Sequence, residues 1–182
     1  MKCPICKKGN LVPSFLEGLF RAHTCDDCGG NWLLIEDYVA WKERHPEHAF
    51  VQEDAFEADD SKQALICPMT GTLMHKYKIS NSSDHRLDYS PSVGGVLLDK
   101  GEWQYLKEQK LAGSLNKIFT AEWQRSLREQ NAEMTFADIY RERFGDESYE
   151  KIKEIRAWLN DHPRRADLRA YLLAEDPYSV NR

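Results

Sequence analysis

The sequence lacks any long apolar run. Stretches such as Trp32–Ile35 and Val96–Leu98 cover only a few residues, against the ~20 that a bilayer-spanning helix needs. No apolar stretch of signal-peptide length follows Met1-Lys2-Cys3-Pro4, so the expectation is a cytoplasmic protein without a membrane partner. Glycine (10 residues) and proline (7) are too sparse for a collagen-like or low-complexity chain of 182 residues. A composition of 41% hydrophobic and 30% charged residues is that of a globular chain long enough to bury a real core.

A strong excess of basic residues is also missing. Net charge is −5, and the negative excess is local. Residues 46–64 carry one basic side chain, Lys62, and six acidic ones: Glu47, Glu53, Asp54, Glu57, Asp59 and Asp60. Residues 1–45, 65–112 and 113–182 are each close to neutral. Composition therefore gives no nucleic-acid footprint. Recognisable catalytic machinery is absent too: there is no Gly-rich phosphate loop and no serine elbow. His45-Pro46-Glu47-His48 brings two imidazoles close, but the proline spoils the helical i, i+4 arrangement of zinc hydrolases. Arg141-x-Arg143 and Arg164-Arg165 have acidic neighbours and read as solvated faces. The expectation is a protein that is not an enzyme.

What the chain does have is an ordered set of cysteines. Four of its five fall in two pairs, Cys3-Pro4-Ile5-Cys6 and Cys25-Asp26-Asp27-Cys28. A C-x-x-C turn aims two thiolates at one point, and two such turns complete a tetrahedron with metal–sulfur distances of about 2.3 Å. A redox dithiol would want one pair beside a βαβ pattern, and a cytoplasmic chain disfavours disulfides. Cys3, Cys6, Cys25 and Cys28 are therefore expected to hold one metal ion per chain. Zn²⁺ is the default, and iron in a rubredoxin-like site takes the same ligands. With all four positions filled by protein, the site is structural rather than catalytic.

The chain also repeats itself once. Cys25-Asp26-Asp27-Cys28-Gly29-Gly30-Asn31-Trp32-Leu33 aligns with Ser90-Pro91-Ser92-Val93-Gly94-Gly95-Val96-Leu97-Leu98, and Cys3-Pro4-Ile5-Cys6 with Cys67-Pro68-Met69-Thr70. The four ligand positions become Cys67, Thr70, Ser90 and Val93 in the second copy. Val93 has no donor atom, and neutral hydroxyls are poor zinc ligands. His75 and His85 lie off the aligned positions. Cys67 reads as a small buried side chain, with Leu73, Val93, Leu97 and Leu98 as candidate core.

The C-P-x-C run, the C-x-x-C-G-G-x-W-L run and the acidic-aromatic start that follows, Glu36-Asp37-Tyr38, resemble the bacterial transcription-factor-IIB-type zinc-ribbon proteins. Gly94-Gly95-Val96-Leu97-Leu98-Asp99-Lys100-Gly101-Glu102 is similar to the same family's G-x-W-L-D-x-G-E run, with Leu97 in place of Trp. The resemblance covers roughly residues 1–45 and 65–110. It implies a β-hairpin ribbon followed by a short helix, zinc on Cys3, Cys6, Cys25 and Cys28, and an association with transcription.

The expected fold class is α+β: two small ribbon-like units, each followed by a helix, then an α-helical C-terminal region. The divisions are 1–45 (zinc ribbon plus helix), 46–64 (acidic linker), 65–112 (degenerate repeat) and 113–182 (helical). Leu34, Tyr38 and Trp41 predict one face of a helix over Ile35–Arg44, ended by Pro46. Trp103 and Leu106 predict another from Lys100 to Leu111. Ser114, Thr135 and Asp146 are candidate caps of further helices, and Pro163 suits the first turn of the last. The aromatic and aliphatic stripes of 114–174 read as core, with a docking face for a partner as the alternative. The function expected is a structural zinc module that binds a protein partner. The alternative is a nucleic-acid-binding regulator using Lys7, Lys8, Phe15, Phe20 and Arg21 as a platform. If the copies draw on separate sources of stability, Cys3→Ser should loosen 1–45 and leave 65–174 folded.

Overall fold

The computed structural model describes residues 1–51 and 57–178. Glu53, Asp54 and Phe56 of the acidic stretch lie outside the described residues, as do 179–182. The fold is α+β, as expected. Three strands, β1 (Leu11–Leu16), β2 (Phe20–Cys25) and β3 (Asn31–Leu34), precede helix α1 (Ile35–Arg44). The same order follows in β4 (His75–Lys78), β5 (Arg86–Ser90), β6 (Gly95–Leu98) and α2 (Glu102–Glu108). Then come a 3₁₀ turn (Ala112–Ser114), α3 (Leu115–Ile118), α4 (Ala121–Phe144), α5 (Asp146–Asp161) and α6 (Arg165–Leu173).

The two halves do not form separate sheets. One six-stranded antiparallel sheet runs β1-β2-β3-β6-β5-β4, so the strand order reads as a palindrome. Its centre is the β3–β6 pairing: Asn31 with Leu98, Trp32 with Leu97, Leu33 with Val96, Leu34 with Gly95. Trp32 thus faces its own counterpart in the repeat, and a pseudo-two-fold axis passes between them. The outermost strands are β1, which contains Pro13, and β4, which contains His75, Lys76 and Lys78.

Two apolar clusters lie against this sheet, and each draws on both halves. One joins Phe20, Leu33, Tyr38 and Trp41 to Leu87, Val96, Trp103, Leu106, Leu115 and Ile118. Phe20 sits edge-on to both Tyr38 and Trp103, with centroids 5.5 Å away in each case. The other joins Cys3, Leu11, Cys25 and Trp32 to Leu65, Cys67, Met74 and Leu97. Shared cores remove the basis for expecting the two copies to be stable independently. They also explain why the compact unit extends past residue 112: it comprises Met1–Gln130, with Asn131–Arg182 as a second unit.

Helix α1 has its expected bounds and buries Tyr38 and Trp41. Helix α2 is shorter than expected, because Lys110 turns to φ 59° just beyond it. Ahead of it, the Asp99 N–H donates to Glu102 Oε2 at 2.7 Å and the Glu102 N–H to the Asp99 backbone carbonyl at 3.1 Å, with Gly101 in the cap position. Ser114 makes no cap hydrogen bond and α3 ends at Ile118; Thr120 caps the next helix by accepting from the Trp123 N–H. Thr135 caps nothing. It lies inside α4, where its hydroxyl donates to Asn131 O at 2.9 Å. Helix α5 begins at Asp146 with Gly145 in the cap position, and Pro163 precedes the cap Arg164 rather than occupying the first turn of α6. Leu97 and Leu98 are buried as expected, but Leu73 is 57% exposed and Val93 only partly covered.

In the second unit the apolar stripes are not core. Met134, Phe136, Tyr140, Phe144, Ile152 and Trp158 are exposed, and Leu159 is its only buried apolar side chain among the described residues. The first four lie on the part of α4 beyond Gln130.

Candidate metal centre

Two knuckle turns carry the four sulfurs. The first is closed by the Cys3 N–H donating to Gly9 O (3.0 Å) and the Lys7 N–H to Cys3 O (3.0 Å). The second is closed by the Cys25 N–H to Gly30 O (2.8 Å) and the Gly29 N–H to Cys25 O (3.1 Å). Lys7 and Gly29 both take left-handed backbone, φ 60° and 76°, to make these turns. The turns place Cys3, Cys6, Cys25 and Cys28 so that all four Sγ atoms lie within 4.8 Å of one another. Cys3 Sγ is 3.7 Å from Cys28 Sγ, and Cys6 Sγ is 3.7 Å from Cys25 Sγ. The edge of a tetrahedron with metal–sulfur bonds of about 2.3 Å is about 3.8 Å. The sulfurs are free thiols, not cystines, and their spacing fits a shared ion.

Backbone donors complete the cage. The Gly9 N–H points at Cys6 Sγ (3.4 Å), and those of Asp27 and Cys28 at Cys25 Sγ (3.5 Å each). Such bonds favour thiolate over thiol. Burial would push the Cys25 thiol up, but the Cys28 and Asp27 N–H groups and the neighbouring thiols bring it down to about 7. Burial pushes Cys3 up to about 11 and Cys28 further. In the metal-free cluster one thiol ionises readily and resists the ionisation of its neighbours. A divalent cation relieves that conflict. Gly9 has no room for a side chain, since a Cβ there would lie 2.6 Å from Cys25 Sγ.

The second copy keeps the knuckles without the sulfurs. The Cys67 N–H donates to Thr72 O (2.8 Å) and the Gly71 N–H to Cys67 O (2.9 Å). Gly71 and Gly94 take the left-handed turns of Lys7 and Gly29, at φ 72° and 62°. Around Cys67, hydroxyls replace ligands: Thr70 bonds Thr72 at 2.8 Å, and Ser90 bonds Ser92 at 3.1 Å. A hydrogen-bonded hydroxyl cluster and a buried thiol thus fill the place of an ion. His75 is not drawn into it.

A different polar cluster forms nearby. His85 Nε2 lies 2.5 Å from Glu102 Oε1, and a carboxylate oxygen of Asp60 completes a group of three within 4.8 Å. Burial, the largest influence on each, pushes Glu102 up to about 7 and would push His85 down, but the Glu102 carboxylate raises His85. Sequence order hides this group, because its members come from the acidic stretch, the loop between β4 and β5, and a helix start. The only hint is the run Asp99-Lys100-Gly101-Glu102.

His45 and His48 pack on Trp41, with ring centroids 4.6 and 4.9 Å away, and belong to no metal-ligating group among the described residues. Arg141 pairs with Asp138 and Glu150, and Arg164 with Asp167. The platform expected on the first ribbon is incomplete: Phe15 is 62% exposed, but Phe20 is in the core at 2%.

No curated protein and no solved structure matches the chain. Residues 2–44, which hold both knuckles, β1–β3 and α1, match the model of the transcription factor zinc-finger family, the TFIIB-type zinc ribbon.

Proposed function

We propose that the protein is a non-enzymatic interaction module in which one zinc ion, bound by Cys3, Cys6, Cys25 and Cys28, organises the first ribbon. The observation that carries this reading is the 3.7 Å spacing of the paired sulfurs. Four thiolates select zinc among abundant divalent ions and leave no coordination position for a substrate or water. Apparent binding energies of such sites are about 10–16 kcal/mol at neutral pH, more than a ribbon of this size draws from packing.

A protein partner within transcription fits the surface better than nucleic acid. Zinc held by four thiolates adds a formal charge of about −2 to the first ribbon. The regions outside the acidic stretch are near neutral, and the burial of Phe20 leaves too few aromatic groups to stack bases. The family description is what supports the link to transcription.

Elemental analysis after dialysis against metal-free buffer tests the zinc assignment. One tightly held zinc per chain is expected, lost in Cys25→Ser. Iron in its place, or no metal, would refute it. Gel-shift titration at low salt tests the choice of partner, and a saturable shift would favour nucleic acid.

A further inference from the structure

Asp60, His85 and Glu102 meet beside the second half of the sheet, away from the four cysteines in sequence. One donor atom from each lies within 4.8 Å of the other two. This is not a surface patch of acids. The side chains of Glu102 and His85 are 3% and 10% exposed, and that of Asp60 is 24% exposed. Asp60 is held in place by its neighbours: the Asp59 N–H donates to Lys100 O at 2.9 Å, and the Ser61 N–H to Asp99 Oδ2 at 2.5 Å.

The surroundings are rich in carboxylates. Asp88 and Asp99, each 4% exposed, add two more buried carboxylates. Against Asp60, Asp88, Asp99 and Glu102 stand the partly buried Lys76, the exposed Lys62 and Arg86, and His85. Lys76 Nζ is committed to Asp88 Oδ2 (2.7 Å) and Ser61 O (2.5 Å), and Lys62 lies 3.4 Å from Asp60. The other oxygen of Asp88, Oδ1, is sealed from solvent with no hydrogen-bond partner. A buried carboxylate oxygen left unpaired is costly, and the Asp88 carboxylate draws its hydrogen bond from Lys76. A cleft of 280 Å³, lined by Asp60, Ser61, Lys62, Lys76, Asp84 and Arg86, opens beside Asp60.

We propose that Asp60, His85 and Glu102 form a second metal site, which takes a divalent transition-metal ion through one imidazole nitrogen and two carboxylate oxygens. That donor set suits zinc or manganese and differs in kind from the thiolate cage. The His85–Glu102 contact holds a proton between the two groups, and the ion takes its place. Donors about 2.1 Å from a tetrahedral ion are about 3.4 Å apart, so the pair opens by somewhat less than one ångström. Glu102 Oε2 keeps its bond to the Asp99 N–H, so the turn ahead of α2 survives loading. The second half would then bind an ion at a position the repeat does not align, while its aligned cysteine positions bind none.

Equilibrium dialysis of the full chain against buffered free Zn²⁺, from micromolar to submillimolar, tests the site. The wild type is expected to take up two zinc ions and Asp60→Asn one, with the second binding weakened about tenfold or more. Asp60 belongs to neither apolar cluster, so Asp60→Asn should retain the wild-type far-UV spectrum. Glu102→Gln tests the buried ligand, and Asp60→Asn suffices should that variant unfold. A wild type that stops at one zinc which Cys25→Ser removes, or an Asp60→Asn chain that keeps both, overturns the proposal. A single zinc that survives Cys25→Ser but is lost in Asp60→Asn would refute the thiolate cage and leave this site standing.

Discussion

Trp32 pairs with Leu97 across the centre of the sheet, and its ring lies over Gly95. A Cβ on Gly95 would meet that ring at 2.0 and 2.2 Å. An indole locked in a core cannot swing aside as a flexible chain end can. Gly95→Ala should therefore destabilise the protein by about 1–3 kcal/mol, the usual cost of overpacking. Denaturant unfolding followed by tryptophan fluorescence measures this. An unchanged midpoint would show that the ring is free to move.

Chelation should not melt the first ribbon alone. Cys3, Leu11, Cys25 and Trp32 share a cluster with Leu65, Cys67, Met74 and Leu97. Removing the ion, or substituting Cys25 by Ser, should lower the stability of the whole Met1–Gln130 unit in one transition. Hydrogen exchange reads this by segment. Loss of protection in β1–β3 with β4–β6 unchanged would show that the halves are independent after all.

The His85–Glu102 pair makes stability fall as pH rises. Both groups have folded-state values raised above their ordinary ones, Glu102 to about 7. The folded chain thus holds a proton that the unfolded chain gives up. For Glu102 the stabilisation is complete below its ordinary value of 4.5 and is lost as pH climbs through about 7. For His85 it is complete below 6.5 and lost above that. Unfolding free energy, measured with one zinc bound, should decline from pH 5 to 8, and Glu102→Gln should flatten the slope. A wild-type profile as flat as the variant's would contradict the assignment.

The exposed stripe on α4 and α5 should bind an environment-sensitive apolar dye. Phe136, Tyr140, Phe144 and Ile152 line a cavity of about 610 Å³. Phe136→Ser and Ile152→Ser should reduce dye fluorescence, with stability changes within about 0.5 kcal/mol, as for other exposed sites. A larger loss of stability would mean that these side chains are covered in solution.

Much of the site was legible because it is local. Two C-x-x-C turns specify their own geometry, and the Tyr38–Trp41 spacing specifies a helix face. The sheet's central pairing was not legible. Leu33 and Val96 lie far apart in the chain, and their apolar runs say only that each strand is buried, not that they are buried against each other. Thr135 misled because a threonine ahead of an apolar run serves equally well inside a long helix, bonded back to Asn131. The stripe of α4 and α5 misled for another reason: periodicity marks an apolar face but does not supply the surface that covers it.

The two outer strands end the sheet by different chemistry. Pro13 removes an N–H donor from β1, so an approaching strand finds a gap in the ladder it would extend. Along β4, the exposed His75 and the Lys78–Asp84 pair set polar groups where a flat apolar edge would invite addition. A duplicated sheet with open ends would be a template for fibril growth, and here each end is blunted separately.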